Sequence, residues 1–232
     1  MKLSLLLPVY HPPAMWVTPV MRCALELLQN EGISEVEVVM VDDGNERPVF
    51  DVFSIQENVE RISFVRISNH NNYGKGYSLR RAAAAATGHI CIYTDVDLPY
   101  TMESMQELLQ ALRSGNCDIA MGVKDSEYYR HLPAFRVTIS KFLRWCSTRV
   151  LHLPTNDTQC GLKGFNEAGK QVFLQTTINR YLFDLEFILM AAKKLRIKTI
   201  EVHLREGVTF HRMSTKVLLQ EGFNFLKLLF KR

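Results

Sequence analysis

The sequence predicts an α/β protein built on a doubly wound, mainly parallel central sheet with helices on both faces. Two observations predict it. In the first half, short apolar runs alternate with segments of helical spacing about every 25 to 30 residues, the pattern of successive βαβ units. The runs are near-continuous in Val, Ile and Leu, as strands covered on both faces require. The chain has 232 residues, 47% hydrophobic and 22% charged, enough for one such domain with a sizeable core.

The elements follow in order. Leu3 to Val9 reads as a first buried strand. Thr18 is the expected N-cap of a helix with Pro19 at its first position. Val20, Cys23, Ala24, Leu27 and Leu28 then recur at helical spacing, with Gly32 as the stop. Val36 to Val41 is a second strand, ending in Asp42-Asp43-Gly44, and Ile62 to Ile67 a third. Gly74-Lys75-Gly76 opens an alanine-rich helix from about Tyr77 to Ala86, stopped by Gly88. Its alanines suit close packing of helix on sheet. Ile90 to Thr94 is the fourth strand, Met102 to Leu112 a helix, and Asp118 to Gly122 the fifth strand.

The second half is less regular. Phe135 to Leu151 reads as a long basic amphipathic helix carrying Arg136, Arg144 and Arg149. A polar loop covers Pro154 to Gly161. Phe183 to Leu195 is a helix, Ile197 to Val202 a strand, and Lys216 to Phe230 a last helix. That helix is apolar on Val217, Leu218, Phe225 and Leu229 and basic on Lys216, Lys227, Lys231 and Arg232. Two readings stand for it: a membrane-interface helix, or packing on the domain or a dimer partner.

A net charge of +4 is mild. It lacks the aromatic interleaving of nucleic-acid modules, which argues against nucleic acid as a partner. Five scattered cysteines form no C-x-x-C pair, so neither a zinc site nor a disulfide framework is signalled. Pro8 interrupts the first apolar run, no signal peptide is readable, and no apolar segment reaches the roughly 20 residues of a membrane span. The expectation is a cytoplasmic protein, soluble or peripheral on the cytoplasmic face of a membrane.

The chemistry concentrates where strands end. Ligands of doubly wound sheets bind beyond the carboxyl ends of the strands, where Tyr10, Asp42, Asp43, Asp95 and Asp97 would all fall. Asp95 and Asp97 close a buried strand one residue apart. Two such carboxylates can hold a divalent cation whose other ligands are substrate phosphates, which points to a nucleotide diphosphate. Asp42-Asp43-Gly44 is either a turn or an acceptor site for a nucleobase or ribose. The glycines around Lys75 lack the spacing of both the Walker loop and the dinucleotide fingerprint and read as a turn, with Lys75 a candidate phosphate or base contact. By its residues alone, Asp157-Thr158-Gln159-Cys160-Gly161 reads as an Asx-type turn. No histidine stands in a recognisable relation to Cys160, which reads as a small buried residue.

Several stretches together resemble the family-2 glycosyltransferases of GT-A fold, most of all the dolichyl- and polyprenyl-phosphate sugar synthases. They are Leu7-Pro8-Val9-Tyr10, Val41-Asp42-Asp43-Gly44, Gly74-Lys75-Gly76, Thr94-Asp95-Val96-Asp97-Leu98, Met121-Gly122-Val123-Lys124, Asp157-Thr158-Gln159-Cys160-Gly161-Leu162-Lys163-Gly164-Phe165 and Phe183-Asp184-Leu185-Glu186. The run from Asp157 to Phe165 is the most specific and outweighs the turn reading. The resemblance implies one catalytic domain over 1–215, with a nucleotide-binding half to about 125, an acceptor half beyond it, and the amphipathic helix at 216–232. It implies that Pro8, Tyr10 and Asp42 line the nucleoside pocket, with Asp43 and Lys75 on the same donor. Asp95 and Asp97 would hold Mg²⁺ or Mn²⁺, and Asp157 would sit at the reacting centre. Lys124, Arg136, Ser140, Gln159, Arg212, Ser214 and Lys216 fall on the acceptor and phosphate side.

This chain departs from the family pattern at four places. His11-Pro12-Pro13 stands where Asn-Glu is usual, and Val123-Lys124 where Ser-Arg is usual. Pro99 occupies the position of a third metal ligand in some relatives. The closing arginine is either Arg205 or Arg212. The implied activity is transfer of a hexose or N-acetylhexosamine, with inversion, from a nucleotide diphosphate sugar to a polyprenyl or dolichyl phosphate. A UDP-sugar is favoured over GDP-mannose. Transfer to a saccharide hydroxyl is the alternative enzyme. A non-catalytic nucleotide-sugar-binding or membrane-docking protein is the alternative of another class.

Overall fold

The apolar runs pair into a single sheet. Its strands are β1 (Lys2–Val9), β2 (Glu35–Asp42), β3 (Ile62–Ser68), β4 (Ile90–Tyr93), β5 (Ile119–Lys124), β6 (Lys163–Asn166) and β7 (Ile197–Val202). The computed structural model describes residues 1–51, 59–124 and 157–208, with single positions at 149, 151, 153, 155, 221, 222, 224, 225 and 228. Across the sheet the order is β3-β2-β1-β4-β6-β5-β7. Every neighbouring pair is parallel except those made by β6, which runs antiparallel to both β4 and β5.

Side chains alternate across this sheet with period two. Leu3, Leu5, Leu7, Val9, Ile90 and Ile92 face helices α1 (Val17–Leu28) and α3 (Met102–Arg113). Leu6, Cys91 and Tyr93 face α2 (Lys75–Ala85), α4 (Glu167–Leu174) and α5 (Phe183–Ala191). Ala82 and Ala83 are fully buried, so the alanine-rich helix lies close on the sheet as expected. On that face Tyr93, Phe165, Phe173, Phe183 and Phe187 form one aromatic cluster.

Three local expectations need correction. Thr18 does not cap α1: the helix starts at Val17, and Trp16 at its N-cap makes no side-chain capping bond. The second helix starts earlier than expected, at Lys75, because Gly74 takes φ 108° and serves as its N-cap. The helix expected over 183–195 stops at Ala191. The strand β6 and helix α4 carry no apolar run of the expected kind. Lys163 and Gly164 interrupt the hydropathy, yet Lys163 is fully buried. A Cβ on Gly164 would meet Leu108 and Leu112 at 2.7 Å, so glycine lets α3 approach. The local start signal was present: the Asn166 side chain accepts from Gly169 N at 3.1 Å, an N-cap followed by Glu167 in the first turn.

The helix expected at 135–151 lies outside the described residues except at Arg149 and Leu151. Of the last helix, Glu221, Gly222, Asn224, Phe225 and Leu228 are described and helical. Leu228 is buried and Phe225 packs against the aromatic face, while a Glu221 carboxylate oxygen accepts from Leu182 N at 2.7 Å. At these positions the segment packs on the domain. Among the described residues no helix is long and apolar enough to cross a membrane.

Glu37 ties the amino-terminal edge of the sheet together. It is buried, and its carboxylate accepts from Ser4 Oγ at 2.7 Å, Thr87 N at 2.9 Å and Thr87 Oγ1 at 2.7 Å. Lys2 Nζ lies 3.2 Å away. Burial works to raise its pKa, but the bonds from Thr87, Ser4 and Lys2 outweigh it and hold the carboxyl below the ordinary range. A lowered folded-state pKa stabilises above the unfolded value, and that stability is lost as pH falls through the folded value. Glu37→Gln is therefore expected to cost about 1–3 kcal/mol at pH 7. Urea unfolding at pH 7 and pH 3.5 should show the gap to wild type shrinking at the lower pH.

Candidate functional site

In this sheet β1 lies between β2 and β4, so the chain winds away from it in both directions. The crevice beyond the carboxyl ends of β1 and β4 is the switch point where ligands of such sheets bind. Tyr10 leaves β1 there, exposed, with its ring edge on His11. Asp95 and Asp97 leave β4 beside it.

The Asp95–Leu98 turn is built to present carboxylates. Leu98 N donates to Asp95 O at 2.9 Å. Val96 and Leu98 are buried, which turns the intervening Asp95 and Asp97 outward. Leu98 accepts φ +48° to do so, a conformation costly for a branched residue and retained only where packing enforces it. The segment after β7 clamps this turn. Thr101 N donates to His203 O at 3.0 Å, Arg205 N to Pro99 O at 2.9 Å, and the Arg205 guanidinium to the Asp97 carbonyl. Of the two closing arginines, Arg205 is thus placed at the site. Arg212 lies outside the described residues, as do Arg136, Ser140, Ser214 and Lys216.

Electrostatics at the turn suit a cation. Asp97 reaches solvent, yet the walls around it exclude enough water to raise its pKa, and the nearby Asp95 charge raises it further. Two mutually repelling carboxylates with hard oxygen donors fit a divalent ion. Among the described residues no cluster of three or more such ligands exists. Lys75 Nζ lies 2.6 Å from Asp95 Oδ1. Burial acts to lower its pKa, but Asp95 and Asp184 outweigh that and hold it above the ordinary lysine value.

The loop from Asp157 to Gly161 packs directly on this centre. A Cβ on Gly161 would stand 2.7 Å from Asp95 Oδ2 and 3.5 Å from Lys75 Nζ, so only glycine lets the loop backbone come this close. Gly161 N donates to Tyr100 Oη at 3.0 Å. Asp157 is buried, with Oδ2 accepting from Lys124 N at 3.1 Å and Oδ1 from Gln159 N at 3.3 Å. The second bond is the Asx turn read from the sequence. Lys124 Nζ donates to Gln159 O at 3.1 Å, so the Val123-Lys124 departure braces the loop from β5. Gln159 Nε2 is a buried donor with no partner among the described residues. Cys160 is fully buried, and burial raises its thiol pKa. It packs under Gly122, where a Cβ would meet its Sγ at 2.6 Å. A small apolar role, not a nucleophile's, is what the site gives it.

The two aspartates after β2 divide their work. Asp43 is committed on both oxygens: Asn69 Nδ2 and Tyr73 N donate to Oδ1 at 3.0 Å each, and Gly74 N to Oδ2 at 2.9 Å. It fixes the loop that delivers Lys75. Asp42 Oδ1 accepts from Asn45 N at 2.9 Å and Asn45 Nδ2 at 2.6 Å. Among the described residues its Oδ2 accepts no hydrogen bond. Pro8 sits within β1, paired in register with Val41, one residue short of that edge.

The support beneath the site has no local signature in the sequence. Lys163 Nζ donates to Asp184 Oδ1 at 2.6 Å and to Cys160 O at 2.5 Å, and Tyr93 Oη donates to the same Asp184 oxygen. Burial first, then the Asp184 charge, holds the Tyr93 phenol well above its ordinary pKa, so it remains a donor. Both residues stood inside motifs, but a lysine in a short strand gives no signal that it is buried.

The family model for glycosyl transferase family 2 matches residues 4–179. The chain belongs to this family. It is 28% identical over 206 residues to the glycosyltransferase AglD of Haloferax volcanii, covering 83% of this chain and 31% of that protein. It is 24% identical over 217 residues to a dolichyl-phosphate beta-glucosyltransferase of Dictyostelium discoideum, covering 86% of this chain and 64% of that one. The chain thus spans about a third to two thirds of the length of these relatives. Its fold is shared with glucosyl-3-phosphoglycerate synthase from Mycobacterium tuberculosis, solved with Mn²⁺, UDP-glucose and phosphoglyceric acid. That match has a TM-score of 0.58 at 12% identity, over 94% of this chain and 74% of that one. The GT-A expectation therefore holds for this family-2 chain.

Removing one partner of a buried ion pair strands the other, at about 3–5 kcal/mol. Lys163→Met is expected to lose that much in urea unfolding. Lys163→Met with Asp184→Leu should recover more than half of the loss, because no buried charge is then left alone.

Proposed function

We propose that this chain transfers a sugar, with inversion, from a nucleotide diphosphate sugar to a polyprenyl or dolichyl phosphate, with UDP favoured over GDP as the donor nucleotide. The observation that carries the reading is the convergence of Asp95, Asp97 and Lys75 with the Asp157–Gly161 loop at the switch point of the sheet. The names of the dolichyl-phosphate beta-glucosyltransferase relatives support the acceptor class. The UDP-glucose and Mn²⁺ in the solved synthase of the same fold support the donor and the ion.

Asp95 and Asp97 would hold Mg²⁺ or Mn²⁺, which supplies Lewis-acid neutralisation of charge on the leaving diphosphate. The chain's own residues do the rest. Asp42 Oδ2 offers an acceptor for a ribose hydroxyl or a base N–H, and Tyr10 an exposed ring beside it. Lys75 adds positive charge where the diphosphate lies. Arg205 fixes the turn that carries Asp97. Gln159 Nε2 offers a donor to an acceptor oxygen, and Lys124, at the end of β5, braces that loop through the Gln159 carbonyl.

Asp157 is the residue whose role depends on the acceptor. A sugar hydroxyl must lose a proton as it attacks, and a general base is worth about 10²–10⁴ in rate. A phosphate monoester, with a second pKa near ~6, is already anionic at pH 7 and needs none. Both Asp157 oxygens already accept backbone hydrogen bonds, which supports an orienting carboxylate and the phosphate acceptor.

Two measurements test this. Calorimetric titration of UDP and GDP, with Mn²⁺ and with EDTA, is expected to show tighter UDP binding in Mn²⁺ that Asp97→Ala abolishes. Binding of neither nucleotide would defeat the donor assignment. With a polyprenyl phosphate acceptor, Asp157→Asn is expected to lower kcat by less than about 100-fold, below the general-base range. A near-total loss would make Asp157 a base.

A further inference from the structure

We infer that Lys75 is the resident counter-ion of Asp95: a divalent cation competes with the lysine for that carboxylate, and the displaced lysine's charge passes to the donor diphosphate. The inference rests on the metal and donor reading above and adds a competition that tunes it.

The geometry of the slot points this way. The Lys75–Asp95 contact of 2.6 Å is partly shielded, the lysine side chain being 16% exposed and the aspartate's 41%. A pair withdrawn from water is worth more than a surface ion pair. The lysine head lies between Asp95 and the backbone of Gly161, where a Cβ would stand 3.5 Å from Nζ and 2.7 Å from Asp95 Oδ2. The ammonium therefore holds Asp95 Oδ1, while Oδ2 lies beside the space that Gly161 leaves open by having no Cβ. A cation that takes Oδ1 must displace Lys75, and one that takes Oδ2 must bind beside the lysine's charge.

The backbone under the lysine does not move to make room. Asp43 holds Gly74 N at 2.9 Å, and Tyr77 N donates to Asn179 O at 3.1 Å. Gly76 is pressed against Phe183, where a Cβ would meet the Phe183 Cβ at 2.6 Å. Only the side chain of Lys75 has freedom, and its length lets the head swing while the stem stays packed. Asp184 is already engaged on one oxygen. Its Oδ1 already accepts from both Lys163 and Tyr93. A displaced ammonium keeps an attractive field from Asp184 but finds its best new partner in an anionic ligand at the crevice.

The test is Mn²⁺ binding alone, without nucleotide, by titration calorimetry and by the paramagnetic resonance signal of free Mn²⁺. The proteins are wild type, Lys75→Met, Lys75→Gln and Lys75→Arg. Loss of a charge-assisted hydrogen bond from Asp95 is expected to tighten Mn²⁺ binding about tenfold to hundredfold in Lys75→Met or Lys75→Gln. Lys75→Arg should stay within about threefold of wild type, since the competing charge remains. At saturating Mn²⁺, UDP binding by Lys75→Met should weaken by about tenfold or more relative to wild type. Unchanged or weaker Mn²⁺ binding in folded Lys75→Met and Lys75→Gln would overturn the competition and leave the metal reading standing. Absence of Mn²⁺ binding in every protein would overturn both.

Discussion

Lys163 lies in the middle of the sheet, flanked by strands on both sides and closed off from solvent. A charge in that position must be neutralised by the interior, since its desolvation costs several kcal/mol. Asp184, in the first turn of α5, neutralises it, and Tyr93 and the Cys160 carbonyl complete the set. One carboxylate thereby joins four segments: the end of β4, the Asp157–Gly161 loop, β6 and α5. The antiparallel strand β6, which breaks an otherwise parallel sheet, enters beside β4 and brings that loop to the same edge as Asp95. The position of Gly161 against Asp95 is thus tied to where the interior puts the Lys163–Asp184 pair.

Around this support the local strain has a direction. Leu98 takes a left-handed conformation so that both aspartates of the turn look outward while Val96 and Leu98 stay in the core. The clamp from residues 203–205 holds the turn from outside. On the other side of the crevice, Asp43 spends both oxygens on the loop that begins α2, which fixes the origin of the Lys75 side chain. Neither Asp43 nor Arg205 needs to touch a ligand to matter. Each converts a flexible loop into a fixed mount for one that does.

What was legible in the sequence follows from the range of each signal. The first-half strands announced themselves by apolar runs, and their ends by aspartates, because hydropathy and turn chemistry are local. The placement of Asp42, Asp95 and Asp97 on one edge followed from parallel topology alone. The start of α2 was misplaced since a glycine at φ 108° leaves no side-chain signature. The strand β6 was missed because its burial is paired, not apolar: Lys163 belongs in the core only through Asp184, 21 residues on. The role of Asp43 was unreadable for the same reason, its partners Asn69, Tyr73 and Gly74 lying about 30 residues away. Partnerships across such distances are set by the fold, and no window of sequence contains them.

The cations near the crevice differ in what holds them, and that difference orders their roles. Lys163 is locked in the interior. Lys124 Nζ donates to a loop carbonyl and lies 4.0 Å from Asp157. The Arg205 guanidinium donates to the Asp97 carbonyl. Each of these partners belongs to the scaffold, and each bond must survive when a ligand enters or the loop it braces is lost. Lys75 alone among the four is held by a carboxylate that the proposed chemistry requires for something else. If Asp95 turns to a divalent ion, the charge it released need not be neutralised by the protein, because the same event brings a diphosphate into the crevice. The site then exchanges one balanced pair for another, and the donor arrives without leaving a buried charge unpaired at any stage.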